Sequence, residues 1–247
     1  MLIAPQNSPV TAALPANFLA LQQEIALAAR AAHRTDDSVT LVAVSKGHTD
    51  DVIGAVAALG QVHFGESYLQ EALPKLEQLR PLGLRWHFIG RIQANKSAAI
   101  AERFDWVHGV DRLKIAERLS AQRPHYAPPL QVCIQVNIAG DAAKAGVTPA
   151  GAIELAHALS TLPRLKLRGL MCILPAGGSA PANRQAFQAL AQLLAAINAA
   201  GGTLTGGALD TLSMGMSADY REAIQEGATL IRIGTALFGP RASARLG

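Results

Sequence analysis

Leu41-Val42-Ala43-Val44-Ser45-Lys46 is an apolar run that stops at a lysine, and Gly47-His48-Thr49-Asp50-Asp51-Val52-Ile53 follows it directly. The first segment has the near-continuous hydrophobicity of a parallel strand buried on both faces. The second reads as a helix start. Thr49 stands as N-cap and two acids fill the first turn; Val52, Ile53, Val56 and Leu59 then share a face, and Gly60 is the stop. Strand then helix is one βα unit, and the fold turns on whether that unit repeats.

It does. Short apolar runs at 41–45, 61–64, 85–89, 105–109, 130–137, 167–172, 209–213 and 229–233 read as strands. Helical patterns fit 67–79, 93–102, 111–122, 148–161, 181–200 and 217–226. Eight βα units in about 250 residues is the content of a closed (β/α)8 TIM barrel, which is favoured over an open doubly wound sheet. An extra amphipathic helix is expected at 17–33, with Asn17 as its cap and Phe18, Leu21 and Ile25 on one face. Residues 1–16, which contain prolines, read as a flexible leader, and 17–247 as a single barrel domain. The Gly/Ala-rich stretch 199–208 reads as a loop.

Composition narrows the function classes. The 247 residues are 50% hydrophobic and 16% charged, a globular balance. The net charge of +4 is spread without a basic block, which argues against nucleic-acid binding. Cys133 and Cys172 each lie in an apolar run with no metal-ligand spacing, so two reduced, buried thiols in a reducing cytoplasm are expected. No apolar run reaches ~18 residues, and the start lacks the pattern of a secretory signal, so no membrane partner is expected.

In a closed barrel the first and eighth strands are neighbours, and their C-terminal ends share the rim on which barrel active sites lie. Lys46 leaves the first strand there, and Gly234-Thr235 leaves the eighth. An amine and a small, hydroxyl-bearing turn suit an aldehyde-phosphate ligand: one can condense with the aldehyde, the other can cradle the phosphate. Arg232, in the middle of the eighth strand, falls on the same side as Gly234; a carboxylate partner elsewhere in the barrel is the bland alternative. Ser213-Met214-Gly215-Met216-Ser217 ends the seventh strand, with Ser217 readable as a helix cap. His87, on the third strand, is either a satisfied core residue or a ligand contact. Glu66, Ser67 and Asn137 are further rim groups, and Lys144 reads as a solvated charge, with a second amine near the rim as the alternative.

Taken together and in order, several segments resemble the pyridoxal phosphate homeostasis proteins, also called proline synthetase co-transcribed homologues. They are Ala43-Val44-Ser45-Lys46, Phe64-Gly65-Glu66-Ser67-Tyr68-Leu69-Gln70-Glu71, Trp86-His87-Phe88-Ile89-Gly90, Gln93-Ala94-Asn95-Lys96, Leu167-Arg168-Gly169-Leu170-Met171, Leu212-Ser213-Met214-Gly215-Met216-Ser217 and Arg232-Ile233-Gly234-Thr235-Ala236-Leu237-Phe238-Gly239. The resemblance implies a barrel like the N-terminal domain of alanine racemases, with pyridoxal 5'-phosphate bound to a lysine. It implies that Lys46 is the Schiff-base lysine, that Ser213, Gly234 and Thr235 bind phosphate, and that Arg232 faces the pyridine nitrogen. Ser67 and His87 stand as further candidate cofactor contacts.

The chain departs from the pattern at Ser67, where Asn is usual, and at Arg91-Ile92, where Pro-Leu is usual. It also has Gly47 after the lysine, which is expected to loosen that loop. The function implied is holding pyridoxal phosphate for its homeostasis, and delivering it to apoenzymes, without turnover. An amino-acid racemase or decarboxylase is the alternative, disfavoured because only eight residues follow Gly239. A Schiff-base aldolase is a third. With no dimer-completing domain, a monomer is expected.

Overall fold

The computed structural model describes residues 9–141, 144–200 and 204–239. A helix, α1 (Pro9–Ala31), precedes the first strand, β1 (Thr40–Val44), and α2 (Asp50–Ala58) follows it. The alternation continues through β2 (His63–Glu66), α3 (Leu69–Gln78), β3 (Arg85–Phe88), α4 (Ser97–Arg103), β4 (Trp106–Val110) and α5 (Leu113–Gln122). It ends with β5 (Leu130–Gln135), α6 (Pro149–Ser160), β6 (Leu165–Met171), α7 (Ala180–Ala199), β7 (Thr211–Ser213), α8 (Tyr220–Gln225), β8 (Leu230–Ile233) and the short α9 (Thr235–Phe238). The strands form one closed parallel barrel in sequence order. The ring closes between β1 and β8, in register from Thr40↔Leu230 to Ala43↔Ile233.

Strand alternation sorts the side chains into two layers. Leu41, Ala43, Phe64, Val107, Ile231 and Ile233 join Ile53, Val56, Leu76 and Ile100 of the helices in the main hydrophobic core. Each large aliphatic or aromatic side chain buried there contributes roughly 1.5–3 kcal/mol. The intervening positions face the barrel lumen, which is unusually polar: His63, His87, His108, Ser213 and Arg232 are joined across it by hydrogen bonds. At the β6–β7 seam the backbones approach so closely that a Cβ on Gly169 would stand 1.8 Å from the Thr211 carbonyl oxygen.

Several boundaries differ from the sequence reading, and three of the differences have a visible physical cause. α1 starts at Pro9, so residues 9–16 are helical and Asn17 sits mid-helix, its amide donating to the Leu237 carbonyl at 3.1 Å. Leu14 is 1% exposed, so apolar packing outweighs the helical bond lost at Pro15; residues 1–8 lie outside the described residues. β2 starts two residues late, because the Gln61 side chain donates to the Leu41 and His63 carbonyls at 2.7 and 2.6 Å and ends the preceding turn. β7 is cut to three residues because Asn198 takes the Leu209 amide and carbonyl that would extend it. α1 packs on α2, α8 and α9. No helix among the described residues is long and apolar enough to cross a membrane.

Candidate functional site

Val44, Lys46, His48, Gly234, Thr235 and Gly239 line one small cleft on the C-terminal rim. Closure of β1 on β8 therefore places Lys46 and the Gly234-Thr235 turn on the same small cleft. Lys46 is half-buried in the turn after β1. His48, two residues on, stacks against Phe238 of α9, with ring centroids 4.5 Å apart and planes 25° apart. Gly234 presents no side chain to the cleft; a Cβ there would make ordinary contact, 3.4 Å, with the Val44 carbonyl oxygen.

Ser217 turns toward this site. It does not cap α8, whose cap position belongs to Asp219, a residue whose carboxylate accepts the Met216 N–H at 2.6 Å. The Ser217 hydroxyl instead accepts the Ala236 N–H in a long contact of 3.4 Å. The loops after β7 and β8 thus meet at the start of α9.

Below the cleft, Arg232 is 4% exposed. Its Nη1 donates to Ser213 Oγ at 2.7 Å and its Nη2 to the Cys172 carbonyl at 2.8 Å. Among the described residues no carboxylate makes an ion pair with it, so the bland alternative for Arg232 does not hold; a serine and a carbonyl are its partners. From Ser213 the chain of bonds runs on to His108 Nδ1 at 2.7 Å, from His108 Nε2 to His87 Nδ1 at 2.8 Å, and from His87 Nε2 to His63 Nδ1 at 2.9 Å. Burial, reinforced by the Arg232 charge, pushes His108 down to about 3. Burial, and then its two histidine neighbours, hold His87 well below the usual imidazole range. Both are neutral at pH 7, and a neutral imidazole donates once and accepts once. The three rings therefore donate in one common direction along the chain.

The structure sorts the candidate residues into two groups. Lys46, Gly234 and Thr235 meet at the cleft. Ser213 and Arg232 lie under it, bonded to each other. His87 does not line the cleft: it is fully buried beside Trp106, with both ring nitrogens engaged by histidines. Ser67 is also absent from the lining; its backbone lies over Gly90, where a Cβ would come within 2.1 Å of the Ser67 carbonyl oxygen. Glu66 ends β2 at the rim but is 0% exposed, so it faces the interior and not solvent. The Asn137 side chain bonds both backbone groups of Asp141 and shapes its loop. Lys144 is exposed, as a solvated charge would be. Arg91 is exposed while Ile92 is buried, so the departure at 91–92 adds one surface charge and one core side chain.

Sequence reading missed His48, although it stands two residues from Lys46 in the same loop. It also missed His63 and His108, single histidines in separate strands whose alignment only the barrel's stagger creates. Gly47 does not loosen its turn: it adopts φ +79°, which glycine accepts without strain, and its amide is held by Glu71. Among the described residues no cluster of His, Cys, Asp and Glu is placed to hold a metal ion.

An amine and a small, hydroxyl-bearing turn on one small cleft fit a ligand bearing both an aldehyde and a phosphate. Residues 17–242 match the family described as alanine racemase, N-terminal domain. The pyridoxal phosphate homeostasis protein of Pseudomonas aeruginosa PAO1 is 51% identical over 225 residues, covering 91% of this chain and 94% of that one. Its namesake in Escherichia coli K12 is 45% identical, covering 91% and 95%. PipY of Synechococcus elongatus PCC7942, in its structure with PLP bound, superposes with a TM-score of 0.80 at 35% identity, covering 92% of this chain and all of that one. The alanine racemase of Corynebacterium glutamicum, 19% identical with a TM-score of 0.63, shares the fold, and the chain covers 63% of it.

Proposed function

Because the chain belongs to the pyridoxal phosphate homeostasis protein family, we propose that it binds pyridoxal 5'-phosphate covalently at Lys46 and holds it in reserve, without a turnover of its own. The observation that carries this reading is the single cleft lined by both Lys46 and the Gly234-Thr235 turn. Bound there, the cofactor would supply an aldehyde able to condense reversibly with the Lys46 amine.

The chain's own residues account for retention without chemistry. Thr235 offers a hydroxyl and Gly234 a close backbone approach to a phosphate. Arg232 is a permanent donor, so a ring nitrogen facing it would accept a hydrogen bond and stay unprotonated, which would weaken the ring as an electron sink. Ser213 supports Arg232 from below, and His48 forms a wall of the cleft. Reversible attachment suits a cytoplasmic, monomeric carrier that returns the cofactor to apoenzymes.

The test is the absorption spectrum of the protein with pyridoxal phosphate. A visible band that Lys46→Ala abolishes is expected, together with no racemization of L- or D-alanine. A band that survives in Lys46→Ala, or robust cofactor-dependent racemization, refutes the reading.

A further inference from the structure

Both chain neighbours of Lys46 are tied to one buried ion cluster. On one side, Ser45 Oγ donates to Glu66 Oε1 at 2.7 Å, and the Ser45 carbonyl accepts from Lys75 Nζ at 3.1 Å. On the other side, the Gly47 amide donates to Glu71 Oε1 at 2.5 Å. Lys75 joins the two halves, with Nζ 2.9 Å from Glu66 Oε1 and 2.6 Å from Glu71 Oε1. All three of its ammonium donors are thus directed at cluster acceptors.

The cluster is a poor device for stability alone. The Lys75 and Glu66 side chains are 9% and 0% exposed, and such a pair loses in desolvation about what it gains in attraction. Glu66 Oε2 is buried without a hydrogen-bond partner among the described residues, a further cost. What the cluster does achieve is to fix a backbone turn. Glu66 on β2 and Glu71 and Lys75 on α3 grip residues 45 and 47, while residue 46 between them lines the cleft.

We propose that Glu66, Lys75 and Glu71 are positioning residues that hold the Lys46 turn so that its amine stands over the Gly234-Thr235 turn. The proposal rests on Lys46 as the attachment residue. A plain structural role, stapling α3 to the barrel, predicts something different: loosening the cluster would then weaken the fold without singling out this turn.

Glu71→Ala tests it, because Glu71 is a third exposed and alanine suits a helix surface. Hydrogen exchange of the Gly47 amide, measured without cofactor, is expected to accelerate about tenfold, the effect of losing one hydrogen bond. Covalent attachment of pyridoxal phosphate is expected to slow by a similar factor. Binding of inorganic phosphate and the melting temperature are expected to stay near wild type. Glu71→Gln, whose amide oxygen still accepts the Gly47 N–H, is expected to restore both the exchange and the attachment rate.

Unchanged exchange at Gly47, unchanged attachment, or an equal loss of phosphate affinity and melting temperature would overturn the proposal. Attachment normal in both proteins refutes the positioning role alone. Attachment absent from the wild-type protein refutes the Lys46 reading and, with it, this purpose for the cluster.

Discussion

Arg232 and His108 share one oxygen: Ser213 Oγ lies 2.7 Å from Arg232 Nη1 and 2.7 Å from His108 Nδ1. The residues come from β8 and β4, on different sides of the barrel, and meet at a serine from β7. A guanidinium can only donate, so the serine oxygen accepts from it, and the orientation of the serine hydroxyl and the tautomers of three histidines are linked to that one contact. Arg232 is thus held by hydrogen bonds to the barrel interior.

Arg232→Gln keeps a donor but removes the charge and one arm of the anchor. The visible band or the affinity for pyridoxal phosphate is expected to change, while unfolding free energy falls by about 1–3 kcal/mol, the scale of a buried hydrogen bond left unmade. Parallel absorbance and denaturation measurements check this. A collapsed fold with an unaltered spectrum would mean that Arg232 serves packing alone.

Acid should weaken the fold before the carboxylates titrate. His87 and His108 are held neutral in the folded chain, His108 at about 3, against an unfolded value near 6.5. Their depressed folded pKa values mean that the unfolded state takes up more protons below pH 6.5, so stability is lost as pH falls from there toward 3. Each contributes up to about 1.4 kcal/mol per pH unit. His63, also lowered by burial, acts in the same sense; Glu66 and Asp219, raised by burial, act in the opposite one. Urea titrations at pH 7 and 5.5 should show the loss, and His108→Gln should flatten it. An equal loss in the variant would show that this histidine does not couple folding to pH.

Thr235 is exposed at the cleft, so its substitution separates binding from folding. Thr235→Val is expected to weaken pyridoxal phosphate binding by about 1–3 kcal/mol with little change in melting temperature. Titration calorimetry that finds wild-type affinity would remove the hydroxyl from the phosphate site.

The two cysteines should be silent in the native state. Burial pushes both thiols up to about 12, so neither offers thiolate at neutral pH. Alkylation by iodoacetamide is expected only after denaturation; rapid native labelling would show that β5 or the end of β6 opens.

The sequence by itself determined the barrel and its principal pair. Strand and helix periodicities are local, so eight apolar runs such as 41–45 and 229–233 could be counted, and counting to eight implies a ring in which the first and last members touch. That was enough to bring Lys46 to Gly234-Thr235. The polar interior was decided only by tertiary structure. His63 pairs in register with Arg85 and His87 with Trp106, so each histidine stands two residues above its neighbour's paired position. The stagger of a closed barrel brings the three rings into line, and spacings of 24 and 21 residues leave no motif in the chain. The same holds for the grip of Glu66, Lys75 and Glu71 on residues 45 and 47. A hydrogen bond depends on the angle at which α3 lies against β1 and β2, and that angle is set by packing, to which no local periodicity refers.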